Sequence, residues 1–133
     1  MTNFFRSHKA ITVFSLVVVS VPTTLAAWSY SAGTRGRLAA RTDIARGHYK
    51  ILGYGYPSPW RSGYSRLLHD RYGIEFEAVT GCIVSHSLMD YVDAYNKTSI
   101  AGANRKFGHD VAKETAEEAI GNWQLQHPSE AEQ

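Results

Sequence analysis

Gly47–His48–Tyr49–Lys50–Ile51–Leu52–Gly53–Tyr54–Gly55–Tyr56 leads through Pro57–Ser58–Pro59–Trp60 and an amphipathic run to Tyr72–Gly73. It continues into Ile74–Glu75–Phe76–Glu77–Ala78–Val79–Thr80–Gly81–Cys82–Ile83–Val84. The stretch reads as strand, helix, strand. Tyr49–Leu52 is a short apolar strand. Ser58 and Pro59 suit a helix start, one as cap and one at the first helical position. Trp60, Tyr64, Leu67, Leu68 and Tyr72 recur at helical spacing and form an inner stripe. Gly73 stops the helix, with Ile74 placed to close back on Leu68. Ile74, Phe76 and Ala78 then alternate with Glu75 and Glu77, as in a half-buried strand. The apolar run to Val84 predicts a strand covered on both faces at its far end. The connection is long enough for a parallel, right-handed βαβ unit.

Two strands make a poor sheet alone, so cover must come from elsewhere. Downstream, Ser87–Leu88–Met89–Asp90 matches a capping pattern. Leu88, Val92, Tyr95, Ala103 and Phe107 form a stripe ending near Gly108. The stripe can run as one helix to Lys106 or Phe107; Asn96–Lys97–Thr98–Ser99 and Gly102 are poor helix residues, which leaves a bend there as the alternative. Asn96–Lys97–Thr98 is also a formal glycosylation sequence. Asp110 is placed to cap a last helix with inner face Val111, Thr115, Ala116, Ala119, Ile120 and Trp123. Residues 127–133 are a polar tail.

Upstream, Arg6 and Lys9 precede a segment from Ala10 to Thr34 without a charged residue. It is long enough to span a bilayer, with Trp28 and Tyr30 at an interface. A cleaved signal ending near Thr24–Leu25–Ala26–Ala27 is the alternative. Residues 34–47 are rich in alanine and arginine and read as a juxtamembrane helix. The expected organisation is an anchor or signal over 1–33, that helix over 34–47, a domain over 48–126 and the tail. The fold class is α+β: an N-terminal hydrophobic helix, a small βαβ unit and two packing helices. A single-pass membrane protein with its domain outside the cytoplasm is expected, or an exported one after signal cleavage.

The 133-residue chain carries a formal net charge of only +2. The charge is nevertheless segregated. Arg35 to Tyr72 holds eight basic residues against two acids; Gly73 to Gln133 holds four against ten. The two halves are expected to attract each other. The alternative is that the basic half meets anionic lipid headgroups. No nucleic-acid motif is present, and nucleic acid is not expected as a partner.

Cys82 is the only cysteine, so no disulfide forms within the chain. Cys82, His86 and Asp90 lie four residues apart and could in principle make a thiol nucleophile. With His69 or His109, Cys82 and His86 could make a zinc site. Neither has a specific ligand spacing, and no metal or cofactor is expected. Gly53 and Gly55 predict close packing of a helix on the sheet. The turn beyond them carries Tyr54, Tyr56 and Trp60. Aromatic side chains of this kind anchor interfaces, and this turn is the expected contact with a protein partner, or with a small ligand.

The pattern Gly55-x-Pro57-x-Pro59-Trp60, Tyr72–Gly73–Ile74–Glu75, Gly81–Cys82–Ile83–Val84, Tyr95–Asn96 and Phe107-Gly108-x-Asp110-Val111 resembles a group of small uncharacterised bacterial proteins with an N-terminal apolar segment. The resemblance covers most of the chain after Leu38. It implies a bacterial envelope setting and carries over no catalytic residue. The sequence therefore points to a membrane-held binding or structural component rather than an enzyme.

Overall fold

A computed structural model describes residues 18, 20–25, 27–81 and 83–128. The basic start, most of the apolar centre, Ala26, Cys82 and the end of the tail lie outside the described residues. The elements are α1 (Ala32–Ala45), β1 (Tyr49–Gly53), α2 (Arg61–Tyr72), β2 (Ile74–Ala78), α3 (His86–Phe107) and α4 (Val111–Gln126). The fold is α+β, mostly helical, around a two-stranded parallel sheet.

Two compact units divide at Ala32 and Gly33. In the first, residues 20–25 and 27–30 are helical. That helix presents Val21, Leu25, Trp28 and Tyr30 as exposed side chains. Among the described residues, no helix is long and apolar enough to cross a membrane. The second unit runs from Gly33 to the C-terminus. The sequence reading sets 34–47 apart from the domain; α1, from Gly33 onward, belongs to the same unit as the sheet.

The strands pair in parallel from Tyr49 opposite Ile74 to Gly53 opposite Ala78. Parallel strands cannot be joined by a tight turn, and α2 supplies the crossover. Side chains alternate between faces. Tyr49, Ile51, Ile74 and Phe76 therefore share one face, and Lys50, Leu52, Glu75 and Glu77 the other. The first face meets Tyr64 and Leu68 of α2 and Val111 and Ala119 of α4 in the larger core. Leu52 on the second face meets Ala40, Val92 and Tyr95 of α1 and α3. Lys50 there reaches both Glu75 at 3.5 Å and Glu77 at 3.4 Å.

β2 stops at Ala78, where the sequence predicts a strand to Val84. The reason is its partner. β1 ends at Gly53, the amide of Val79 makes the last bond to the Gly53 carbonyl at 2.9 Å, and Gly55 turns away at φ 80°. An apolar run without a pairing strand has nothing to hold it extended, and Ile83 is left exposed. Gly53 serves a different purpose from the one predicted. A Cβ there would lie 2.4 Å from the Phe76 ring, so it admits the neighbouring strand's aromatic side chain and not a helix.

Helix ends also differ in detail. α2 begins at Arg61, because Ser58–Pro59 forms a turn in which the Arg61 amide donates to the Ser58 carbonyl at 3.0 Å. Gly73 closes it in the left-handed region at φ 63°, donating back to His69 and Leu68. The cap of α3 is Ser85, whose hydroxyl accepts from the Leu88 amide at 3.2 Å, and not Ser87. Asp110 caps α4 by accepting from the Lys113 amide. Thr115 is buried in α4 with its hydroxyl unpartnered.

α3 runs unbroken through Asn96–Ser99. Asn96 and Ser99 of that run face the open edge of β1. The Leu52 amide donates to Asn96 Oδ1 at 2.8 Å, and Asn96 Nδ2 donates to the Leu52 carbonyl at 2.7 Å. One turn on, the Ser99 hydroxyl donates to the Lys50 carbonyl at 2.6 Å. Two side chains thus stand in for a third strand and satisfy backbone groups that burial would otherwise leave costly. With both ends of its amide occupied, Asn96 is a structural residue and a poor glycan acceptor. α1 crosses α3 closely at Gly36, where a Cβ would lie 2.2 Å from the Tyr91 carbonyl oxygen.

Candidate functional site

The aromatic turn predicted as one contact is divided by the fold. Tyr54 is half-buried against the Leu52 cluster, on one face of the sheet. Tyr56 projects into solvent, 85% exposed, while its carbonyl accepts from the Arg61 guanidinium at 3.3 Å. Trp60 packs at the margin of the larger core, edge-on to Tyr64 at 5.9 Å. β1 ends at Gly53, and the chain turns at Gly55 and again at Ser58–Arg61, so the three side chains lie in different surroundings.

Trp60 borders a cleft of about 240 Å³ between the start of α2 and the end of α4. Leu67, Ala119 and Trp123 give it apolar walls; Ser62, Arg66, Asn122 and Gln126 give it polar ones. Gly63 lines it without a side chain, and a Cβ built there meets nothing within 4 Å. Trp123 is half-buried and stacks on His127, with centroids 5.1 Å apart. Sequence reasoning placed Trp123 on an inner face but took it for core. The signal that separates the two is Gly63, one turn from Leu67, which leaves α2 short of a side chain where the Trp123 helix passes.

The thiol reading is not assembled among the described residues. His86 is the first residue of α3 and Asp90 lies one turn on, both exposed; Cys82 lies outside the described residues. His109 is held by Glu114 at 2.8 Å and tilts against the Tyr72 ring. His69 is exposed on α2. Among the described residues, no three His, Cys, Asp or Glu side chains gather as metal ligands would.

Electrostatics follows the segregated charge. Arg71 of the basic half holds Glu118 of the acidic half through two bonds, at 2.5 and 2.7 Å. That pairing lowers the Glu118 carboxyl and raises the Arg71 guanidinium. The hydrogen bond to Glu77 likewise raises Lys50. Burial, and secondarily the Asp110 carboxylate, pushes the Tyr64 phenol up to about 12. Tyr95 is also raised, by burial first and then by its hydrogen bond to Asp43 at 2.6 Å.

The chain matches no protein-family model, no curated protein and no solved structure.

Proposed function

We propose that this chain is a membrane-tethered binding domain, held on the extracytoplasmic side by its N-terminal apolar segment, whose partner contact is the α2–α4 cleft. The observation that carries the reading is the pair Trp60 and Trp123 flanking an open recess with Arg66 on its rim. Aromatic anchors and arginine dominate protein contacts. The recess, at about 240 Å³, is smaller than the roughly 300–1,000 Å³ typical of small-molecule sites. That size favours a side chain of a partner protein over an enclosed metabolite. The occupant is an extended segment offering one apolar side chain, with a neighbouring carboxylate for Arg66. The tether is supported by the charge-free stretch from Ala10 to Thr34 and by the exposed apolar residues of its helical part. Exposed apolar surface of this kind calls for cover by lipid or protein.

Gly63→Leu tests the cleft. It fills the open space and replaces the poorest helix former but proline with a good one, so the fold should hold. A photo-crosslinking amino acid at Gln126 of the full chain, in cells of its native host, should give one protein adduct. Adding Gly63→Leu should remove it, and the same crosslinker at Arg105 should not reproduce it. An adduct that survives Gly63→Leu would place the contact elsewhere.

A further inference from the structure

A second recess, independent of the aromatic cleft, opens between α1 and α3 with a volume of about 500 Å³. Its walls carry Arg37, Arg41, Lys97 and Arg105, and no carboxylate. Ile44, Ala45 and Ala101 line it with apolar surface, and Thr98 adds a hydroxyl. None of the four cations is in an ion pair among the described residues; Arg37 is steadied by donating to the Thr34 hydroxyl at 3.1 Å. Several basic side chains elsewhere in the domain are in ion pairs. Lys50 meets two glutamates, Arg71 is bidentate with Glu118, and Lys113 lies 3.9 Å from Glu117. Four like charges lining one groove sum to a positive potential that attracts an anion.

We propose that the α1–α3 groove binds a phosphate-bearing anion. Three guanidinium groups offer planar donor pairs that match phosphate oxygens, and Lys97 adds a point charge. Phosphate of this kind is carried by soluble ligands and by lipid headgroups alike.

The test uses the full chain in neutral-detergent micelles, titrated calorimetrically with inorganic pyrophosphate. Binding should be measurable and should weaken as salt is added. The double change Arg41→Gln with Arg105→Gln should weaken it by roughly tenfold or more. Arg66→Gln, in the other cleft, should leave it unchanged. If circular dichroism shows the double variant unfolded, Ala101→Glu, which sets a carboxylate in the lining, should produce the same loss. Mixed micelles then separate the sources. Competition by phosphatidylglycerol but not phosphatidylcholine assigns the groove to a headgroup; competition by neither assigns it to a soluble phosphate. Absence of binding by the unaltered chain, or equal binding by folded groove variants, overturns the proposal. Because the aromatic cleft shares no residue with this groove, failure of either proposal leaves the other standing.

Discussion

The two faces of the sheet are closed by different chemistry. Toward α2 and α4, Ile51, Ile74 and Phe76 meet Leu68, Val111 and Ala119 in a core that depends on apolar contact. Toward α1 and α3, Leu52 is joined by Asn96, Ser99 and the Tyr95–Asp43 pair. Hydrophobic contact has no direction, so it rewards filling space without fixing where a helix sits along a strand. A side-chain amide that bonds both the N–H and the carbonyl of Leu52 does fix it. The hydrogen-bonded side thus sets the position of α3, and with it the alignment of the groove shared with α1. The apolar side supplies most of the cohesion.

If that division is right, the largest loss comes from the apolar side. Leu68 is fully buried at its centre. Leu68→Ala should cost about 2–5 kcal/mol, read as a lowered urea midpoint, whereas Leu68→Met should cost under about 1.5 kcal/mol. An equal loss for both would mean that shape, not volume, governs this core.

A smaller but more specific loss is expected on the other side. Asn96→Ala leaves the Leu52 amide and carbonyl without their partner, at roughly 1–3 kcal/mol for each group kept from water. Asn96→Asp separates the two bonds. It keeps the acceptor for the Leu52 amide but turns an oxygen toward the Leu52 carbonyl. Hydrogen exchange at the Leu52 amide should therefore stay slower in Asn96→Asp than in Asn96→Ala. Identical exchange would mean that α3 does not close this edge through Asn96.

These two regions were unequally legible. The apolar side follows from periodicity: Tyr64, Leu68, Val111 and Ala119 stand at helical spacing, and Ile74 and Phe76 alternate. The parallel βαβ unit followed from the same signals. On the hydrogen-bonded side one continuous helix to Phe107 was legible from its apolar stripe, but Asn96, Ser99 and Gly102 lower helix propensity and left a bend open, and their bonds to β1 were not legible. Propensity measures what a residue does in an isolated helix; here tertiary bonds to β1 outweigh it. The end of β2 was overextended for a related reason. A strand needs a pairing partner, and the length of β1 is not written in the residues of β2. The aromatic turn was located but not its division, since where Tyr54 and Trp60 go depends on where β1 ends and on the turns at Gly55 and Ser58. The paired charges were visible as a segregated pattern; the gathering of Arg37, Arg41, Lys97 and Arg105 around one groove was not, because helix-to-helix placement decides which cations come together.

The smallest effect is the sharpest probe of the comparison, since each side contains one buried tyrosine. Tyr95 donates to Asp43, and Tyr95→Phe at neutral pH should cost about 0.5–1.5 kcal/mol. The Tyr64 hydroxyl makes no hydrogen bond to any described residue, and Tyr64→Phe should lie within about 0.5 kcal/mol of the unaltered chain. Alkaline pH reverses the standing of the Tyr64 exchange. The Tyr64 phenol is held at about 12 in the fold against an ordinary 10.0. Below the ordinary value both states keep the proton and the stability is fully present. Between the two values the unfolded chain releases its proton while the folded chain retains it, so stability falls as pH rises through that window. Phenylalanine has no proton to release. Tyr64→Phe should therefore overtake the unaltered chain in urea midpoint at about pH 11, with the other tyrosines common to both and cancelling. Midpoints that stay parallel from neutral pH to about pH 11 would show that Tyr64 is not shut away from water, and that the apolar side of the sheet is wetter than its packing implies.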